Sequence, residues 1–304
     1  MKILFIFGTR PEAIKLAPLI LHFRENLIEV KVCVTGQHRT MLDQVLDLFK
    51  IIPDYDLNLM NPNQNLANLV GEVLNGVTNI LNHEEFDWVC VQGDTATTMA
   101  GAMAAFFEKI PVGHVEAGLR TYNLESPFPE ELNRQITSKI ALLHFAPTEE
   151  SKKNLLKEGF SENQISVTGN SVIDALKWVL ENTAFTDLKL PIDFENSKII
   201  LATSHRRENF GDGLRNICES LKTIAQRESN IQIVFPVHLN PNVHDQVNSI
   251  LSNIQNIHLI EPLEYSLFVH LMKLSSIILT DSGGIQEEAP SLGKPVLVMR
   301  DNTE

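Results

Sequence analysis

Short apolar segments alternate with longer amphipathic segments along most of the chain, a pattern typical of a parallel α/β sheet. In the first half, Ile14, Ala17 and Leu21 follow helical spacing, and Pro11 suits the first turn of that helix. The strands predicted in this half are Ile3–Phe7, Glu29–Thr35, Trp88–Val91, Val112–Val115 and Leu142–Ala146. The helices predicted between them are Pro11–Glu25, Arg39–Phe49, Gln64–Asn82, Thr95–Lys109 and Glu130–Ala141.

The alternation stops around Thr183–Glu195, where polar residues and a proline replace it, and then begins again. The strands predicted after this break are Lys198–Thr203, Ile231–Val237, Ile257–Ile260, Ile277–Thr280 and Val296–Met299. The helices are Leu214–Arg227, Pro241–Leu251, Tyr265–Leu274 and Gly284–Leu292. We therefore predict two Rossmann-like domains, residues 1–170 and 171–304, with a link near 170–197.

Polar residues follow seven of the predicted strands. In open parallel sheets, ligands bind at the carboxyl ends of the strands, so two sheet edges of this kind predict a cleft between the domains. The segments are Gly8-Thr9-Arg10 with Lys15 one turn beyond, Gly36-Gln37-His38-Arg39, Gln92-Gly93-Asp94-Thr95, Glu116-Ala117-Gly118-Leu119-Arg120, Ser204-His205-Arg206-Arg207, His238, and Asp281-Ser282-Gly283-Gly284.

The segment from Ile277 to Ala289 carries the clearest ligand signal. An apolar strand leads into Ser282, two glycines and a helix. Glycines let backbone N–H groups approach a phosphate, and the helix N-terminus adds partial positive charge. Glu288, one turn into the helix, can accept hydrogen bonds from ribose hydroxyls. The plainer interpretation is a tight turn without a ligand.

Plainer structural interpretations also exist for the first half. Asp94 could serve only as a helix N-cap, and Glu116 could form an internal salt bridge with Arg120. Arg10 and Lys15 could belong to a solvated face.

Two further segments have structural alternatives. The proline-bracketed loop from Ser126 leads into Glu130 and Glu131, which could be ordinary first-turn carboxylates that favour the helix dipole. His205 could be a core histidine, although two arginines follow it.

Composition narrows the class of protein. The 304 residues are 43% hydrophobic and 7% aromatic, as in soluble globular proteins. A net charge of -13 makes nucleic-acid binding a poor candidate. No apolar run approaches membrane-spanning length, and the one at the N-terminus is too short for a signal peptide. Cys33, Cys90 and Cys218 lack paired spacing, which indicates buried thiols in a reducing cytosol, without a disulfide or a zinc site.

The residues assembled above resemble the bacterial non-hydrolysing UDP-N-acetylglucosamine 2-epimerases. The resemblance covers essentially the whole chain in the family's order. The matching segments are Gly8 through Lys15, Gly36 through Arg39, Gln92 through Thr95, Val115 through Thr121, Pro127 through Arg134, His205 through Asn209, Val237 through Pro241 and Thr280 through Arg300.

This resemblance implies an α/β fold of the GT-B type, with two Rossmann-like domains facing across a cleft. It implies reversible conversion of UDP-N-acetylglucosamine to UDP-N-acetylmannosamine by elimination and re-addition of UDP through 2-acetamidoglucal. The protein would be cytoplasmic, and its product would supply surface polysaccharide synthesis. The resemblance also implies a homodimer and no metal or cofactor, and there is no sign of a nucleic-acid or membrane partner.

The resemblance also implies residue roles. The catalytic residues would be Asp94, Glu116, Glu130, His205, Arg10 and Lys15. The UDP-binding residues would be Arg10, His205, Phe268, Ser282, Gly283, Gly284 and Glu288. A second molecule of UDP-N-acetylglucosamine would bind as an allosteric activator at Gln37, Arg206 and His238, although Thr40 stands where the activated members have glutamine.

The family continues beyond the segment that ends at Glu304, so the second domain is expected to be incomplete and the chain to be a fragment or a shortened variant. Three alternatives remain open from the sequence. They are a hydrolysing epimerase that releases N-acetylmannosamine and UDP, a GT-B glycosyltransferase that uses the same donor, and an inactive UDP-sugar-binding remnant.

Overall fold

The computed structural model divides into two compact units, Met1–Ala175 and Leu176–Glu304. It describes residues 1–36, 39–59, 64–185, 188–194, 196–204, 211–238 and 240–300. Each unit is built on its own parallel sheet, so the α/β class predicted from the alternating pattern is confirmed.

The first unit contains a seven-stranded parallel sheet in the order β3-β2-β1-β4-β5-β6-β7. The strands are β1 Lys2–Phe7, β2 Glu29–Val34, β3 Tyr55–Asp56, β4 Trp88–Gln92, β5 Val112–Val115, β6 Leu143–Ala146 and β7 Ile165–Val167. The helices are α1 Arg10–Glu25, α2 Arg39–Leu48, α3 Leu66–His83, α4 Ala96–Phe107, α5 Glu130–Ile140, α6 Glu149–Lys157 and α7 Val172–Asn182. The last of these, α7, extends across the boundary into the second unit. Because the strand order reverses direction between β1 and β4, this unit has a Rossmann-type switch point.

The second unit contains a five-stranded parallel sheet in the order β10-β9-β8-β11-β12. The strands are β8 Lys198–Thr203, β9 Ile231–Pro236, β10 Ile257–Ile260, β11 Ile277–Thr280 and β12 Val296–Val298. The helices are α8 Asp212–Arg227, α9 Pro241–Leu251, α10 Tyr265–Leu274 and α11 Gly283–Ser291. The switch point of this sheet lies between β8 and β11.

Continuous apolar strands and the apolar faces of the helices form the two cores. In the first unit, β1 is buried from Ile3 to Phe7, as expected for a strand covered by helices on both faces. Val73 and Val77 of α3 pack with alanines of α4 against this sheet. In the second unit, Leu214 and Leu221 of α8 pack on β8 and β9. The predicted burial of all three cysteines is confirmed, and all three are free thiols.

The segment predicted as a link near 170–197 contains the helix α7, and the boundary between the two units falls within this segment. Three elements, β3, α6 and β7, were not predicted from the pattern. Over the described ranges, no helix combines the length and the apolar character needed to cross a membrane.

Candidate active site

The switch point of the first sheet brings together the polar segments that follow β1, β4 and β5. Lys15 lies in α1, which begins immediately after β1, and Asp94 follows β4. Glu116 follows β5, which is paired with β4. Three consecutive neighbours in the sheet therefore place one cation and two carboxylates at the same edge.

Glu116 accepts hydrogen bonds on both carboxylate oxygens. Lys15 Nζ donates to Oε1, and Gln92 Nε2 donates to Oε2. The Lys15 and Glu116 side chains are only 17% and 11% exposed, so Lys15 does not belong to a solvated face. The backbone of Glu116 has φ 66°, a left-handed conformation that costs a non-glycine residue about 1 kcal/mol. Such strain is typical of functional positions.

Helix α6 fixes the loop that carries Glu116. A Cβ added at Gly118, where φ is 92°, would lie 2.3 Å from the Ser151 carbonyl oxygen, so the close contact requires glycine. The Arg120 guanidinium forms a bidentate pair with Glu158, at 2.7 and 3.0 Å. The predicted alternative of a Glu116–Arg120 salt bridge is therefore wrong.

Asp94 lies against a buried arginine. Arg134 Nη2 is 2.6 Å from Asp94 Oδ2, and the Asn133 amide donates to the Asp94 carbonyl oxygen at 2.8 Å. Burial raises the pKa of the Asp94 carboxyl to about 6; Arg134 opposes this rise, and the charges of Glu116 and Glu130 add to it. The N-cap alternative for Asp94 is wrong, because Thr95 is the N-cap of α4 and accepts from Thr98 N.

The first turn of α5 contains two carboxylates with different surroundings. Glu130 is half-buried, and its charge acts on Asp94. Glu131 is fully buried and accepts from Thr121 N at 3.0 Å and Tyr122 N at 3.1 Å. Burial opposes ionisation of Glu131, but these and further hydrogen bonds outweigh it and lower its pKa. Glu131 therefore fixes the loop before α5.

Glu12 is a component of this edge that the sequence analysis missed. Its side chain is 2% exposed, and its two oxygens contact groups that follow both β1 and β4. The signal was present as Thr9-x-x-Glu12, the spacing of a capping box before an apolar helix.

His114 contacts the loop that follows β4 at this edge. It lies in β5, is fully buried, and donates from Nε2 to the Gly93 carbonyl oxygen at 2.7 Å. Burial lowers its pKa to about 3, so the ring is neutral. His114 therefore supports the loop before Asp94 as a neutral donor.

The second unit has a corresponding edge between β8 and β11. The Thr203 and Thr280 hydroxyls are 2.7 Å apart, and the Ser204 hydroxyl donates to the buried Asp281 carboxylate at 2.9 Å. Thr280 Oγ1 accepts from Ser282 N at 3.0 Å. These bonds fix the loop that leads into α11.

Helix α11 presents its N-terminus at this edge. Ser282 is the N-cap and makes no side-chain capping bond, and the N–H groups of a first helical turn are a common binding place for anions. Glu288 is buried, and its Oε1 would lie 3.9 Å from a Cβ at Gly284. The Ser282-Gly283-Gly284 turn and the Glu288 carboxylate therefore lie about one helical turn apart; their role in UDP binding stays a prediction.

The remaining predicted site residues are more dispersed. Arg10 is the first residue of α1, Phe268 is half-buried in α10, and His238 is exposed after β9 and accepts from Asn240 N at 3.1 Å. His205, together with Gln37 and Arg206, lies outside the described residues. In the ranges that the structure describes, no group of three or more His, Cys, Asp or Glu is placed to hold a metal ion.

Comparison with known proteins relates this geometry to one family. Residues 22–304 match the family model described as UDP-N-acetylglucosamine 2-epimerase. The chain is 55% identical over 312 residues to the UDP-N-acetylglucosamine 2-epimerase of Escherichia coli (strain K12), covering 100% of the chain and 83% of the relative.

Solved structures give the same result. The crystal structure of the Neisseria meningitidis UDP-GlcNAc 2-epimerase bound to UDP-GlcNAc is similar with a TM-score of 0.90 and 55% identity, over 100% of this chain and 84% of that one. The Methanocaldococcus jannaschii UDP-GlcNAc 2-epimerase in complex with UDP-GlcNAc and UDP has a TM-score of 0.79 and 37% identity, over 100% and 85%.

Proposed function

The chain belongs to the UDP-N-acetylglucosamine 2-epimerase family of isomerases, and we propose that it interconverts UDP-N-acetylglucosamine and UDP-N-acetylmannosamine by eliminating and re-adding UDP. The carbon-2 proton and the anomeric C–O bond are lost together, which gives UDP and 2-acetamidoglucal. The reverse addition returns a proton to the opposite face of carbon-2.

This chemistry requires more than one acid–base group. Carbon-2 is not adjacent to a carbonyl, so no enolate stabilises the charge left by the departing proton. Inversion at carbon-2 also requires proton transfer on two faces of the sugar. Carboxylates supply acid–base groups, and nearby cations stabilise developing negative charge.

The observation that carries the proposal is the cluster of three carboxylates at one edge of the first sheet. The charges of Glu116 and Glu130 both act on Asp94, so both carboxylates lie within electrostatic range of Asp94. Lys15 and Arg134 supply the positive charge beside them. A carboxyl whose pKa lies near 6 exchanges protons readily close to neutral pH.

The second unit supplies the proposed UDP site. The N-terminus of α11, with Ser282, Gly283 and Gly284, would bind the diphosphate, and Glu288 would accept from the ribose. Phe268 would contact the uracil. By the resemblance stated above, Arg10 and His205 would also contact UDP. The Neisseria meningitidis and Methanocaldococcus jannaschii complexes support a UDP-sugar as the ligand.

Incubation of the full chain with UDP-N-acetylglucosamine in D₂O, followed by proton NMR, tests the proposal. We expect UDP-N-acetylmannosamine with deuterium at carbon-2 in both nucleotide sugars. Accumulation of free N-acetylmannosamine in amounts equal to UDP would instead identify a hydrolysing enzyme. Tight UDP binding without exchange at carbon-2 would identify a binding protein.

Three further expectations from the family resemblance are proposals as well. They are a cytoplasmic homodimer, activation by a second UDP-N-acetylglucosamine at Gln37, Arg206 and His238, and supply of the product to surface polysaccharide synthesis. Light scattering of the purified chain tests the first. Sigmoidal dependence of the initial rate on substrate, lost on substitution of His238, tests the second.

A further inference from the structure

Glu12 is a buried carboxylate whose contacts are divided between two loops of the candidate active site. Oε2 accepts from Gly8 N at 3.0 Å and from Thr9 N at 2.7 Å, both in the segment after β1. Oε1 accepts from the Thr95 hydroxyl at 2.6 Å and lies 3.1 Å from the Thr98 hydroxyl, both after β4. A local capping residue would contact only its own helix start.

The location of Glu12 is the place where Rossmann-type sheets usually receive an anion. It lies at the switch point between β1 and β4, at the N-terminus of α1 and beside the N-terminus of α4. Helix N-termini at such a crevice bind phosphate groups in many proteins. Here the Glu12 carboxylate of the chain itself occupies that position and accepts hydrogen bonds from the N–H and hydroxyl groups.

The two loops joined by Glu12 either contain or lead directly into residues of the candidate active site. The first leads into α1 with Arg10 and Lys15, and the second carries Asp94 next to Thr95. Thr98 extends the connection, since its hydroxyl also lies 2.6 Å from the Gln92 carbonyl oxygen, and the Gln92 amide donates to Glu116.

We propose that Glu12 is a positioning residue: its carboxylate holds the start of α1, the helix that carries Lys15, and the loop with Asp94 in the relative geometry that carbon-2 chemistry requires. It also fills the anion position of the first unit, which leaves the diphosphate to α11 in the second unit. Glu12 does not itself contact the substrate. The inference rests on the proposed epimerase function.

Glu12→Ala and Glu12→Gln test this role, with Glu149→Ala as the matched control. Glu149 is also a first-turn helix carboxylate, but it is exposed in α6. Displacement of catalytic groups by about 1 Å reduces turnover by roughly 100-fold, so we expect that loss of kcat in Glu12→Ala. The KM and the affinity for UDP should change by less than about threefold, since these report mainly on binding.

The conservative variant sharpens the test. Glutamine keeps an acceptor for Gly8 N and Thr9 N but offers no second acceptor to Thr95, so Glu12→Gln should recover only part of kcat. A kcat within about threefold of wild type in folded Glu12→Ala, by the same kinetic criterion, would overturn the proposal. If Glu12→Ala does not fold, Glu12→Gln carries the same comparison, because it preserves the side-chain shape.

Amide hydrogen exchange separates this inference from the proposed function. In the Glu12 variants, we expect faster exchange in the peptide that spans residues 92–99 as well as at Gly8 and Thr9. Faster exchange confined to residues 8–12 would show a local cap and would contradict the proposal. If the wild-type chain shows no epimerisation, the proposed function fails, and the exchange pattern still decides whether Glu12 couples the two loops.

Discussion

The raised pKa of Asp94 predicts that this side chain destabilises the folded first unit at neutral pH. Holding a carboxyl pKa at about 6 instead of 3.8 costs the ionised form roughly 3 kcal/mol in the folded state. Between these two values the folded chain retains the proton more strongly than the unfolded chain does. The free energy of unfolding therefore falls as pH rises through this window, and below it the penalty disappears.

Asp94→Asn removes the titrating group while nearly preserving its shape. We expect the variant to gain about 2 kcal/mol in free energy of unfolding, relative to wild type, between pH 4 and pH 8. Comparing two pH values cancels the pH-independent consequences of the substitution, and the effect of Arg134 on the charged form is already included in the Asp94 pKa of about 6. Urea unfolding followed by Trp88 fluorescence, in a Trp178→Phe background so that only the first unit reports, measures this difference.

Asp47→Asn, at an exposed position in α2, is the control and should show the same difference from wild type at both pH values. An Asp94→Asn difference that does not change with pH, or that favours wild type more strongly at pH 8, would contradict the raised pKa of Asp94. Either result would mean that burial does not dominate the environment of Asp94.

Three other predictions concern individual contacts. Gly118→Ala should lower the free energy of unfolding by about 2–4 kcal/mol, because its Cβ overlaps the Ser151 carbonyl in a left-handed backbone. The control Gly159→Ala has φ 89° and open space around it, so it should lower the free energy of unfolding by only about 1 kcal/mol. Equal losses of the two variants in urea unfolding would argue against the overlap. Glu131→Gln should lower the free energy of unfolding by roughly 2 kcal/mol at pH 7. Because the pKa of Glu131 is lowered, this loss should shrink as pH falls below the ordinary glutamate range. A loss that does not change with pH in urea unfolding would contradict this prediction. Glu288→Ala should weaken UDP binding by about tenfold, as expected for loss of a charged hydrogen-bond partner; unchanged affinity in calorimetry would remove Glu288 from the ribose.

Most of the regular elements could be predicted from the sequence because their apolar periodicity is long and clear. The boundaries of β5 and β8 match the structure residue for residue. The elements that were missed have weak patterns of their own. Strand β3 contains two residues and is defined by its pairing with Cys33 and Val34 of β2, while β7 is an edge strand with a single buried residue.

The composition of the candidate site was easier to predict than its contacts. Polar residues at strand ends identified Asp94 and Glu116, because parallel strands bring those ends to one edge. The partner of Asp94 could not be inferred, since Arg134 is 40 residues away in the chain. The Glu116–Arg120 alternative was wrong because proximity in sequence does not show that Arg120 pairs with Glu158, the residue directly after α6.

The most direct test of the central claim compares wild type and Asp94→Asn in two assays, deuterium exchange at carbon-2 of UDP-N-acetylglucosamine and calorimetric affinity for UDP. In the proposed function, proton transfer occurs at the edge of the first sheet and UDP binds at α11. We therefore expect Asp94→Asn to abolish exchange while its affinity for UDP stays close to that of wild type. Exchange at the wild-type rate in Asp94→Asn, or loss of UDP affinity together with exchange, would contradict it.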